Sequence, residues 1–179
     1  MVLSILSTRY KLDEIYFVHY MVYLIGVNHG VQFLKNSYTS DQVDVVNKFG
    51  DFVRKNIDEF DIKVIAEEMD TEALAKHTAK SYTKKITQEK TIGHIFCNPT
   101  TEEKKKIGIN NDTDREKEWF RRIQNYSGGN ILFICGHRHL HSFKDLLKAN
   151  GVQCQIISEE YWGKELDANE IMKKWLQQK

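Results

Sequence analysis

Residues 130–139 read NILFICGHRH, in which Asn130 opens a run of five apolar residues, Gly136 closes it, and His137, Arg138 and His139 follow directly. An apolar run without alternation is the pattern of a strand covered on both faces, and such strands belong to parallel sheets flanked by helices. Four other stretches read the same way. Met21 begins MVYLIGV, residues 61–66 read DIKVIA, residues 93–97 read GHIFC, and residues 152–157 supply a last strand. The third of these is stopped by Asn98 and by Pro99, the chain's one proline.

Helical patterns fall between the strands. After Thr39 and Ser40, Val43, Val46, Phe49 or Gly50, Val53 and Ile57 recur at helical spacing, with Thr39 and Gln42 placed as a capping box, which predicts a helix of about four turns. Residues 71–90 read as helix without a strong apolar stripe, and 100–112 as a charged loop holding one helical turn. Trp119, Phe120 and Ile123 mark a helix over 113–126, which Ser127, Gly128 and Gly129 end. Leu140, Phe143, Leu146 and Leu147 share one face of a further helix. Strands alternating with helices predict an α/β fold: an open, mainly parallel five-stranded sheet with helices on both faces and right-handed crossovers. Numbered along the chain, the strands are expected in the order 3-2-1-4-5, which places the first and fourth side by side at a switch point.

The chain's 179 residues suit one domain, read here as residues 21–179 preceded by an appended segment, 1–20. With 26 Lys+Arg against 25 Asp+Glu and 41% hydrophobic residues, it is neither a disordered polyelectrolyte nor a basic nucleic-acid coat. Cys97, Cys135 and Cys154 are odd in number and lack CxxC spacing, which argues against a disulfide framework or a thiolate zinc site and favours a reducing cytoplasm. The longest apolar stretch, Tyr16 to Val27, is interrupted by His19 and falls short of the ~20 residues of a membrane span, and no secretory pattern precedes it.

The chemistry concentrates at the strand ends. Gly26-Val27-Asn28-His29 and Gly136-His137-Arg138-His139 repeat one G-x-x-H spacing after two strands expected to be neighbours. A glycine there frees the backbone to turn and deliver the fourth residue to the carboxyl end of the sheet, where open α/β sheets hold their ligands. The second strand ends Glu67-Glu68-Met69-Asp70. Two imidazoles and a carboxylate can hold a divalent ion with positions open for water. The same trio can act without metal, a histidine oriented by a glutamate deprotonating water directly. At a helix start, His139 would be kept neutral by the helix's partial positive charge.

Other residues read more plainly. His19, His77 and His94 fit solvent or packing; His137 and His141 lie beside His139 in a cluster that can mimic a metal site without being one, and His141 points away, since residues two apart in a helix do not share a face. The helix bearing Arg115, Glu116, Glu118, Arg121 and Arg122 reads as a solvated face, with Arg115 and Arg122 as candidates to contact an anionic substrate. Cys135 and Trp119 read as core, and Lys104 to Lys106 as solvated loop rather than a nucleic-acid contact.

The pattern IGVNH, then IKVIAEEMD, then ILFICGHRH resembles the superfamily of TraB and pheromone-shutdown proteins and Tiki proteases, with erythromycin esterases and haem-binding ChaN as more distant relatives. The resemblance spans about Met21 to Ile157. The runs FCNPTTEEKKKIGI and REKEWFRRI resemble a small bacterial soluble branch of that type. It implies an active site of His29, His139 and Glu68, with Glu67 a rival for the acid; from the residue types, a divalent metal (Mn, Zn, Co or Fe) held by the same three residues and a metal-free site both stand open. The function expected is a hydrolase cleaving an amide or ester bond of a small-molecule or peptide substrate, with no nucleic-acid or membrane partner. The alternatives are a small-molecule or haem-binding module using the same crevice, and an interaction protein in which the crevice is vestigial. Haem would need axial ligands and a broad apolar pocket, for which this length leaves little room.

Overall fold

The β strands of the computed structural model, which describes residues 20–126 and 128–161, are β1 (Met21–Val27), β2 (Phe33–Leu34), β3 (Ile62–Glu67), β4 (Lys80–Ser81), β5 (Gly93–Phe96), β6 (Asn130–Gly136) and β7 (Gln153–Tyr161). The helices are α1 (Ser40–Glu59), α2 (Thr71–Lys76), α3 (Tyr82–Lys90), α4 (Thr101–Ile107), α5 (Asp112–Gln124) and α6 (Leu140–Ala149). Two 3₁₀ turns, His29–Gln32 and His137–His139, follow β1 and β6. The result is an α/β fold on a five-stranded, all-parallel sheet, with β2 and β4 forming a small antiparallel pair beside it.

The strand order is β5-β3-β6-β1-β7. In the numbering of the five expected strands this is 3-2-4-1-5, a correction to 3-2-1-4-5. The first and fourth strands are neighbours as expected, but the fourth inserts between the first and second. The order is settled by how the crossovers pack rather than by any one strand's residues; at the centre β6 has partners on both edges and cover on both faces, and Ile131, Leu132, Phe133, Ile134 and Cys135 are all fully buried.

Side-chain alternation divides the core in two. Ile131, Phe133 and Cys135 join Val22, Leu24, Trp119, Ile123, Phe143 and Leu147 on the face of α5 and α6. Leu132 and Ile134 join Ile25, Val46, Phe49, Val53, Ile65, Tyr82 and Ile86 on the face of α1 and α3.

Local signals set the helix ends. Thr39 and Gln42 form the capping box of α1, which runs 20 residues, longer than four turns. The single helix expected over 71–90 is broken: His77 caps α2, Thr78 takes a left-handed φ of 47°, and Ser81 caps α3 through the Lys84 amide. The expected loop over 100–112 instead holds α4, started by a Thr100–Glu103 capping box and stopped by Gly108 at φ 73°.

Residues 1–19 and 162–179 lie outside the described residues, and with them all of the appended segment but Tyr20 and the end of the expected domain. Tyr20 packs, partly buried, against the α5 and α6 face. Among the described residues no helix is long and apolar enough to cross a membrane.

Candidate functional site

The carboxyl ends of β1, β6 and β3 open into a cavity of about 410 Å³ lined by Asn28, His29, Glu68, Asp112, Arg115, Gly136 and His139, among others. Both GxxH histidines therefore reach one place, and both face one carboxylate. His29 Nε2 lies 3.6 Å from Glu68 Oε2, and His139 Nε2 lies 3.7 Å from Glu68 Oε1.

The two glycines act through space rather than through φ, since neither Gly26 nor Gly136 has a positive φ. A Cβ on Gly136 would lie 2.9 Å from His29 Nε2 and 3.3 Å from Glu68 Oε2, inside the site. A Cβ on Gly26 would run into the Glu159 carbonyl of β7. The repeated motif keeps room for the site at one strand and for a neighbouring backbone at the other.

Glu67 and Glu68, adjacent at the end of β3, point to opposite sides as successive strand residues do. Glu68, 7% exposed, turns to the cavity, where Oε2 accepts from the Gly136 amide at 2.8 Å and Oε1 pairs with Arg115 Nη2 at 3.1 Å. Glu67, fully buried, turns to the other face and accepts from Gln32 Nε2 at 2.9 Å and Ser81 Oγ at 2.6 Å, with His94 Nε2 at 2.8 Å. Glu68 is thus the acid of the cavity, and Glu67 stands behind it.

Arg115 joins the site from α5. Its Nη2 lies 2.6 Å from His139 Nε2 and 3.2 Å from Asp112 Oδ1, and its guanidinium carbon sits 5.2 Å from the centre of the Trp119 ring. Arg122 does not join it. That side chain donates to Glu118 and to the Phe96 carbonyl and pairs with Glu103.

His139 precedes α6 and is gripped on both ring nitrogens. Glu116 Oε1 lies 2.9 Å from Nδ1 and also accepts from Ser142 Oγ at 2.7 Å. A carboxylate accepts only, so Nδ1 carries the proton and Nε2 receives the Arg115 N–H, which is the neutral ring. The hydrogen bond to Glu116 raises the His139 pKa, aided by the Glu68 charge and opposed by burial and by Arg115. The helix start was expected to hold the ring neutral, and a carboxylate 2.9 Å away outweighs it. The two observations describe different pH ranges. Above the raised pKa the Arg115 contact stands; below it, an Nε2–H would face a guanidinium N–H and push it away.

The trio does not fit a metal in this arrangement. The position a cation would take between His139 Nε2 and Glu68 Oε1 holds the Arg115 guanidinium, 2.6 and 3.1 Å from the two. Among the described residues no group of three His, Cys, Asp or Glu is arranged to hold an ion.

Sequence reasoning missed Glu116, Gln32 and His94. Glu116 is 5% exposed, not on a solvated face, and its spacing to Trp119, Phe120 and Ile123 already put it on the buried side of α5. His94, read as ordinary packing, is held by buried Glu67. His137, which also lines the cavity, and His141 pair loosely with Glu160 and Glu159 at 3.8 and 3.7 Å.

Comparison with family models, with curated proteins and with solved structures gives no match.

Proposed function

We propose that this chain is a hydrolase that cleaves an amide, ester or related carbonyl bond of a small molecule or peptide, with His29 as general base. One observation carries the reading: His29 Nδ1 is engaged by Gln32 Oε1 at 2.8 Å, and Nε2 faces Glu68 Oε2 across 3.6 Å at the cavity wall. That distance is too long for a direct hydrogen bond and suits a water set off the line that donates to both acceptors. The His29 side chain is 41% exposed, so substrate can reach it.

The water donates one O–H to His29 Nε2 and the other to Glu68 Oε2. As its oxygen attacks the carbonyl carbon, its proton passes to Nε2 and the carbonyl electron pair moves onto oxygen. The Arg115 guanidinium, anchored by Glu68 and His139, meets the developing oxyanion. Collapse of the tetrahedral intermediate expels the leaving group, which takes the proton back from His29. A positioned base supplies about 10²–10⁴ in rate and a fixed oxyanion donor about 10²–10³.

The two GxxH motifs support placing the chain beside the TraB, pheromone-shutdown and Tiki superfamily, and its free cysteines suit a reducing cytoplasm. A panel of chromogenic esters and aminoacyl anilides tests the reading. We expect one class to be hydrolysed, with kcat/KM lowered at least about 100-fold by His29→Ala. We also expect the rate to survive chelation. A rate indifferent to His29→Ala would take the base away from His29, and no turnover of any class by folded protein would leave a binding module instead.

A further inference from the structure

The proton of a histidine base sits on one nitrogen or the other, and only one of the two arrangements presents a lone pair to substrate. At His29 that choice is made by residues that never touch the cavity. In the 3₁₀ turn His29–Gln32, side chains three apart eclipse, so Gln32 lies directly against the imidazole and is itself fully buried. Its amide could face His29 with either end. Glu67 decides: Gln32 Nε2 donates to Glu67 Oε2 at 2.9 Å, which leaves Oε1 toward His29 Nδ1 at 2.8 Å. An amide oxygen only accepts, so Nδ1 must carry the hydrogen and Nε2 its lone pair.

Glu67 cannot swing away to release this choice. Its second oxygen receives Ser81 Oγ at 2.6 Å and touches His94 Nε2 at 2.8 Å, on β4 and β5, and the whole residue has no exposed surface. Opposite, Glu116 imposes the same Nδ1–H form on His139. Two carboxylates, one direct and one acting through an amide, thus turn both Nε2 atoms toward Glu68.

We propose that Gln32 and Glu67 are positioning residues that set the tautomer of His29, Glu67 orienting the Gln32 amide and Gln32 fixing the ring. The catalytic meaning rests on the hydrolytic reading of His29; the tautomer does not. The test is long-range ¹H–¹⁵N spectroscopy of protein labelled at the histidine imidazoles, with His29 assigned by loss of its signals in His29→Ala. The spectra are followed to rising pH until the imidazole ¹⁵N shifts stop changing, so that tautomers are compared between neutral rings.

Wild type should show His29 as Nδ1–H, against the Nε2–H form that free histidine favours. Gln32→Leu removes the acceptor and should turn His29 to predominantly Nε2–H while His139 keeps its form. The exchange Gln32→Glu with Glu67→Gln moves the carboxylate next to the ring and should keep Nδ1–H. With a substrate in hand, Gln32→Leu should lower kcat about tenfold or more at little change in KM, and the exchanged pair should recover it. An Nε2–H His29 in wild type overturns the proposal even if no variant folds, and so does an Nδ1–H His29 in Gln32→Leu. The tautomer as stated without any hydrolysis would sink the functional reading alone; hydrolysis dependent on an Nε2–H His29 would sink this inference alone.

Discussion

Arg115 decides what the cavity can hold. Its Nη2 neutralises Glu68, a carboxylate 7% exposed, and at the same time fills the space between Glu68 and His139. Arg115→Ala should destabilise the protein by about 3–5 kcal/mol, because a buried charge loses its partner. The same change opens His29, Glu68 and His139 to a divalent ion. Mn²⁺ or Zn²⁺ at 100 times its dissociation constant should return about 2.7 kcal/mol to that variant in thermal melts and shift the wild type little. A wild type that gains as much as the variant would show the guanidinium moving aside for metal. The acid, the two histidines and Arg115 could be picked out from the sequence because strand ends and a repeated motif point at them. Gln32 could not be, because what makes it matter is a hydrogen bond to an imidazole rather than a pattern along the chain; for Glu116 the spacing carried the burial but not the imidazole it meets. For Glu116 the sign of exposure was also misjudged: a charged helix with three apolar residues on one side does not keep all its acids on the other.

Elements carry the same lesson with charge in place of hydrogen bonds. In α5, Glu118 is 7% exposed and receives Arg121 Nε at 2.6 Å and Arg122 Nε at 2.8 Å, while Arg122 ties on to the Phe96 carbonyl at the end of β5. The hydrogen bond from Arg121, with that from Arg122, holds the Glu118 carboxyl below the ordinary carboxylate range, against its burial. A carboxyl with a depressed native pKa stabilises the fold above its unfolded value of ~4.3 and loses that contribution as pH falls through the native value. Glu118→Gln should therefore lower stability at neutral pH by about 1–3 kcal/mol. Denaturant titrations at descending pH should show the gap to wild type closing below that range; a gap that persists in acid would assign the loss to packing. The strands themselves were legible, since five apolar runs gave five parallel strands. Their order was not. β1, β3 and β6 read alike because each is buried on both faces, and neighbours in a parallel sheet are chosen by packing after the crossovers, which leaves no mark in a strand's own residues. The break between α2 and α3 was hidden for a different reason, since it depends on a left-handed Thr78 and the Ser81 cap, with no proline or glycine to mark the place.

At the scale of the whole molecule, placing β6 at the centre of the sheet makes stability uneven, and the cysteines sample that unevenness. Cys135 lies within β6 and is fully buried; Cys97, also fully buried, follows β5 at one end of the strand order; Cys154 lies partly exposed in β7 at the other. Burial pushes up the pKa of all three thiols, so each is held mainly as the unreactive thiol form. Reaction at Cys97 and Cys135 must then wait for an opening. Cys97 is released when β5 leaves β3, its partner in the sheet, whereas Cys135 lies under α5 and α6 on a strand held between β1 and β3 and requires that central packing to come apart. Openings of that extent approach global unfolding, while an end strand can open at lower free energy. Thiol labelling followed by mass spectrometry through a urea series should therefore proceed in the order Cys154, Cys97, Cys135. Labelling of Cys135 should track the global unfolding free energy, and that of Cys97 should rise at lower urea. Equal rates at Cys97 and Cys135 would mean that the sheet opens as one cooperative unit and that the central position of β6 confers no extra protection.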